Sequence, residues 1–290
     1  MDIISPLQKA ILSNRSIPTS KYEQFVFPYY DITDKLYMLK DMVEARTILA
    51  RHMMDGSDIL NVTDLDTDGI CSGVVFSITL KEIYKYPKEK IHTIVSKRRD
   101  GRGFSNKLTE KVIHYVNKHK VKLIITSDHG SGDELQYVKI KKLCPNVQII
   151  VTDHHQVDPN NFPITADAFI NPHRPDDTYP NKEICGCVVL WLLLSYTYPY
   201  LKENNIISNK VSDVYEAFRI VLPYLAISTI VDVMDMSLML NRTLVNKGLN
   251  HAPLPLLKCK SCHKYFSNYY LNMPVFQQVN LIIFFSPLRL

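Results

Sequence analysis

From about Ile59 onward the chain alternates short apolar runs with longer segments of helical periodicity. ILNV (Ile59–Val62), IHTIVS (Ile91–Ser96), KLIIT (Lys122–Thr126), VQIIVT (Val147–Thr152) and AFI (Ala168–Ile170) have strand length. Between them the pattern predicts helices over Ile70–Tyr84, Ser105–Lys120 and Asp133–Lys142, then a strongly apolar one over Ile184–Tyr196. In the second of these, Leu108, Val112, Tyr115 and Val116 share one face and Ser105 suits the N-cap. The strands read as continuous apolar runs, as expected where both faces of a parallel sheet are covered. Strand–helix alternation then predicts an α/β fold: a mostly parallel β-sheet, right-handed crossovers, and helices on both faces. Residues 1–55 read as a mainly helical, peripheral extension, 56–250 as the α/β domain, and 251–290 as a tail rich in Tyr, Phe and Asn.

Composition changes this picture little. Hydrophobic residues make up 46% of the 290 and charged residues 22%, an ordinary globular balance that argues against disorder. The net charge of +5 is compatible with a polyanionic partner without demonstrating one. The six cysteines (Cys71, Cys144, Cys185, Cys187, Cys259 and Cys262) and a start, MDIISPLQKA, without signal-peptide character point to reduced thiols and a cytoplasmic location. No apolar run reaches the ~18–20 residues of a spanning helix, so no membrane partner is expected.

Candidate chemistry sits where the apolar runs end. ILNV leads into TDLDTDG, with Asp64, Asp66 and Asp68 in alternation. On an extended strand, alternate residues point the same way, so these carboxylates are expected to converge and to need a hard divalent cation. Taken alone, the stretch is equally an aspartate-rich turn. An EF-hand loop is excluded: counting from Asp64 puts Gly69 sixth but Val75 twelfth, where a Glu is required. KLIIT then runs into Asp128, VQIIVT into Asp153, His154 and His155, and a later apolar run, YLAISTIV, into Asp232. Ligands of open parallel sheets bind outside the carboxyl ends of the strands, so these ends are expected to meet in one metal-binding crevice, Asp232 at a neighbouring strand end among them.

DLDTDG, SDHG, VTDHH and TIVDV resemble, in order, the four motifs of the DHH phosphoesterase superfamily. RRDGRGF, INPHRPDDTYPNKEICG and IVDVMDMSLMLNRTLVNKGL are similar to further blocks of its RecJ-type single-strand-specific exonucleases, over about Asn61 to Leu249. The resemblance implies a hydrolase that uses two divalent ions, Mn²⁺ or Mg²⁺, to activate water against a phosphodiester of single-stranded DNA in the 5′-to-3′ direction, in repair or recombination. It implies metal ligands at Asp66, Asp68, Asp128 (bridging), His154 and Asp232. Asp64 is a further candidate; some branches carry a histidine ligand where Val62 stands, which puts that ligand out of use here. His155 would face the scissile phosphate, and Asp153 would orient its imidazole neighbour. Lys97, Arg98, Arg99 and Arg102 of the basic loop, with Asn171 and Arg174, are candidate phosphate contacts; the bland readings are a solvated loop and an Asn-Pro turn.

RecJ-type enzymes carry a second domain with a glycine-rich, histidine-containing motif. Gly248 is the last glycine here, so that domain is expected to be missing or supplied by a partner subunit. CKSCH (Cys259–His263) is half of a zinc knuckle at most, and reads as structural or incidental. Two other readings stay open: a DHH hydrolase of oligoribonucleotides, nucleoside bisphosphates or pyrophosphate, and a non-catalytic DHH scaffold. Retention of all five implied ligands favours activity.

Overall fold

A computed structural model describes residues 4–32, 35–101 and 103–251 of the chain. The tail from Ala252, with Cys259 and Cys262, lies outside the described residues, as does Arg102. In chain order the main elements are α1 (Pro6–Asn14), α2 (Tyr22–Val26), α3 (Met42–Met54), β1 (Ile59–Thr63), α4 (Thr67–Ile78), β2 (Ile91–Val95), α5 (Asn106–His119) and β3 (Leu123–Ser127). Then follow α6 (Glu134–Leu143), β4 (Gln148–Thr152), β5 (Ala168–Ile170), α7 (Gly186–Glu203), α8 (Val214–Ala217), α9 (Leu222–Val231) and α10 (Met239–Asn250).

The sheet has five strands in the order β2-β1-β3-β4-β5, and every pairing is parallel. This is the expected α/β architecture. Alternation along each strand divides the side chains between two cores. Ile59, Leu123, Ile125 and Ile150 face the larger core with α3, α4, α7 and α9, while Leu60, Val62, Ile124 and Val151 face the smaller one with α5 and α6. Both faces are covered, which is why the strands lack an apolar–polar rhythm. Ser105 caps α5 as expected, its hydroxyl accepting from Leu108 N. The predicted helix after β1 is α4, continued by a π-helical turn over Thr79–Ile83.

One part of the sequence reading is corrected. The segment taken as peripheral ends in a core helix: Met42, Ala45, Ile48 and Leu49 of α3 are buried in the larger core, where α3 packs on α7 and β5. Burying Met42, Ile48 and Leu49 contributes on the order of 1.5–3 kcal/mol each before entropy is counted.

The topology also fixes where a site can form. From β1 the chain moves to β2 on one side, then returns past β1 to β3 on the other. The crevice at the carboxyl ends of β1 and β3 is therefore the switch point of the sheet.

Candidate metal centre

Asp128 stands directly beyond β3 with φ +63°, a left-handed conformation that Asp tolerates better than most side chains. It is 1% exposed, and among the described residues neither carboxylate oxygen has a hydrogen-bond partner. Around it lie His154 Nε2, 3.2 Å from Asp128 Oδ1, 3.5 Å from Asp232 Oδ2 and 3.7 Å from Asp68 Oδ2. Burial, and then the charges of Asp68, Asp66 and Asp153, push the Asp128 carboxyl well above its ordinary range. Burial and the Asp68 charge likewise push Asp232 up to about 6.

Asp68 is held from a third direction. It lies in the first turn of α4, and its carboxylate accepts from Gly186 N at 2.7 Å, Cys187 N at 3.0 Å and Ser228 Oγ. The first two donors are free backbone N–H groups at the start of α7, an N-terminus that suits an anion. Gly186 is required by the packing: a Cβ there would come within 2.6 Å of Asp128 Oδ1 and 2.7 Å of its Cα. Sequence reasoning missed this cradle, for which only the Cys185–Cys187 glycine could have been a signal.

Two placements differ from the expected geometry. Asp64, Asp66 and Asp68 do not converge by strand alternation, because the extended backbone ends at Thr63. Asp66 is instead the exposed N-cap of α4, accepting from Gly69 N at 3.0 Å, and Asp64 accepts from Leu65 N and from Ser96 Oγ at 2.8 Å, tying the end of β1 to β2. Asp232 is at no strand end. It is the C-cap of helix α9, a position where the helix dipole disfavours an acidic group.

Asp153 organises the turn after β4. Its Oδ1 accepts from His154 N, His155 N and, at 2.8 Å, His155 Nδ1, while Oδ2 accepts from Ser131 N and Oγ. Burial alone would raise its pKa; the bonds and charge of His155, with the Ser131 donors, outweigh that and hold it well below the carboxylate range. The same Asp153 bond raises His155 to about 9, so the exposed imidazole is cationic at neutral pH.

Lys97, Arg98 and Arg99 are exposed on the basic loop. The loop ends at Phe104, which stacks on His129 beside Asp128 with ring centroids 5.4 Å apart. Asn171 is fully buried and bonds to protein groups. Arg174 is engaged on all sides: Nη1 donates to Asp41 Oδ2 at 2.6 Å and to the Phe169 carbonyl, and Nε and Nη2 grip Asp176 at 2.9 Å. That geometry makes Arg174 a brace between α3 and the loop after β5 and removes its donors from a phosphate.

The donor set fits a cation. Asp128, His154 and His155 bring one ligand atom each within 4.8 Å of one another, and so do Asp68, His154 and Asp232. Buried carboxylates without donors are costly unless a positive charge compensates them.

A family model described as the DHH family, N-terminal domain, matches residues 58–216. The chain belongs to the DHH family. Among curated proteins this DHH chain is similar to the single-stranded-DNA-specific exonuclease RecJ of Escherichia coli (strain K12), 25% identical over 213 residues, 73% of this chain and 35% of that protein. The RecJ of Bacillus subtilis (strain 168) is 26% identical over 195 residues, 66% of this chain and 23% of that protein. The DHH chain thus spans about a third or less of the length of these relatives. Two crystal structures share the fold: exonuclease RecJ bound to manganese (TM-score 0.57, 23% identity, 73% of this chain and 48% of that one) and RecJ with Mn²⁺ from Thermus thermophilus (0.58, 20%, 85% and 31%).

Proposed function

We propose that this protein is a metal-dependent phosphodiesterase, a RecJ-like 5′-to-3′ exonuclease of single-stranded DNA serving repair or recombination in the cytoplasm. The observation that carries the reading is the meeting of Asp68, Asp128, His154 and Asp232 at the switch point, with buried carboxylate oxygens that no described group pairs. The curated relatives, all named as single-stranded-DNA-specific exonucleases, support the substrate class. Among the described residues, no helix is long and apolar enough to cross a membrane.

Asp68, Asp128, His154 and Asp232, with Asp66 beside them at the α4 N-cap, would hold the two ions, Mn²⁺ or Mg²⁺. Divalent ions held there would acidify a bound water and offset phosphate charge. The chain's own residues do the rest. Asp153 fixes the ring of His155 and keeps it protonated, so a cationic imidazole faces the cleft where the non-bridging oxygens of a phosphodiester would lie. Lys97, Arg98 and Arg99 offer backbone-phosphate contacts on the side of β2. Asn171 and Arg174 brace the loop after β5.

The test is purified protein with 5′- and 3′-labelled single strands, duplex and short oligoribonucleotides, with Mn²⁺ or Mg²⁺ added or removed by chelation. Stepwise, metal-dependent loss of 5′ nucleotides from single strands is expected, and none from Asp128→Ala. Turnover of short oligoribonucleotides or nucleoside bisphosphates alone would replace the reading with a small-substrate DHH hydrolase. Absence of any metal-dependent hydrolysis would leave a scaffold.

A further inference from the structure

The loop after β5 sets a second imidazole beside the DHH turn. The amide of Asn171 serves three neighbours: Nδ2 donates to Ser131 Oγ and to the His155 carbonyl, both at 2.8 Å, and Oδ1 accepts from His173 N at 2.7 Å. One buried side chain therefore fixes the backbones carrying His155 and His173 relative to each other. Their rings are also held alike. Asp153 takes Nδ1 of His155, and the side-chain amide nitrogen of Gln156 lies 3.3 Å from Nδ1 of His173. An amide N–H only donates, so Nδ1 of His173 accepts, and the neutral ring carries its proton on Nε2. Among the described residues nothing engages that Nε2. The ring is half-buried, within electrostatic reach of Glu183, His154, Lys182 and Asp153. Burial, against the charges of Glu183 and Asp153, holds the imidazole below its ordinary pKa.

We propose that His173 is a substrate-contacting residue: its Nε2–H donates a hydrogen bond to a phosphoryl oxygen of the bound strand, and Gln156 sets the tautomer that permits it. The proposal rests on the phosphodiester reading above and adds a neutral donor alongside the charged imidazole of His155.

The experiment compares the full chain with His173→Ala, His173→Gln and Gln156→Glu. Binding of a 5′-phosphorylated, fluorescein-labelled oligothymidylate is read by anisotropy with Ca²⁺ in place of Mn²⁺, and turnover of the same strand is read with Mn²⁺. His173→Ala is expected to weaken binding about 10-fold, the worth of one hydrogen bond to a charged group. His173→Gln, whose amide nitrogen reaches the Nε2 position, should restore it to within about 3-fold. Gln156→Glu, whose carboxylate accepts from Nδ1 as Asp153 does for His155, should charge the ring, keep its Nε2–H and leave binding within about 3-fold of wild type. The thermal midpoint and its rise with Mn²⁺ should not change. Unaltered binding by His173→Ala overturns the assignment. So does a loss that His173→Gln fails to recover and that is accompanied by a lost Mn²⁺ response, since His173 would then be a support for the fold. His173-dependent binding by a wild-type protein that hydrolyses nothing would retain this contact and reject the phosphodiesterase reading alone.

Discussion

The two ends of the sheet use the same residue types in opposite ways. At the amino end Asp58 accepts from Lys90 Nζ at 2.7 Å and from His92 Nε2 at 2.8 Å, and His92 turns Nδ1 to the Tyr115 hydroxyl at 3.1 Å. His52 is likewise matched by Ser57 and Gln148. At the carboxyl end no described group donates to Asp128, and its neighbours are other carboxylates and one imidazole. Burial would raise Asp58, but the Lys90 and His92 bonds outweigh it and hold its pKa below the ordinary value, while Asp128 and Asp232 are raised. Paired groups stabilise the fold. Unpaired buried charge is a cost that only a ligand can offset, and it marks the place where function is read.

The largest test of this contrast is Asp128→Asn. It should abolish metal-dependent hydrolysis by at least about 10³-fold, the scale of a lost transition-state charge partner. It should also erase the Mn²⁺-induced rise in thermal midpoint, yet raise the urea midpoint of the metal-free protein by removing a repelled, buried charge. A metal-free protein weakened by this change would break the contrast.

Next in size is Gly186→Ala. The added Cβ meets Asp128 at 2.6 Å, so overpacking should cost about 3 kcal/mol in chemical denaturation and displace the carboxylate from the centre. Wild-type stability with wild-type Mn²⁺ affinity would mean that the cradle yields.

At the amino end, Asp58→Asn should destabilise by about 1–2 kcal/mol, since the neutral amide offers one acceptor oxygen to Lys90 and His92 in place of a charged pair, and should leave turnover within about 2-fold of wild type. Activity assays on this variant sharpen the contrast from the other side.

The smallest effect is in the pH dependence of the metal-free protein. A carboxyl raised to about 6 when folded binds a proton that the unfolded chain, at about 3.9, has released, so Asp232 lowers stability as the pH rises from about 4 to 6. Asp58 behaves in reverse: its contribution is complete above about 3.9 and is lost as the pH falls through its lowered folded value. Urea titrations from pH 4 to 6 should show a decline of about 1 kcal/mol that Asp232→Asn reduces and Asp58→Asn leaves in place.

Much of this was legible in the chain itself. Apolar runs at Ile59, Ile91, Leu123, Ile149 and Ala168 announced five covered strands because burial on both faces is a local demand on composition. Residues placed directly after those runs, Asp128 and the Asp153–His155 turn, were located with them. Other placements depended on partners far along the chain. The apolar run before Asp232 has a length that suits a strand or a buried helix equally, and only its packing makes it α9. The bracing of Arg174 required Asp41, 133 residues away, and the seat of Asp68 required Gly186, 118 residues away.

The sequence by itself determined the α/β class, the strand sites and the carboxylates and histidines available at their ends, since hydrophobic periodicity and residue chemistry are carried by neighbours. Tertiary structure alone decided which of those side chains share a crevice, which are silenced by a partner, and that His173 stands beside His155 on one amide. Hydrogen bonds and excluded volume act over a few ångströms in space, and nothing in local sequence records which distant residues will come that close.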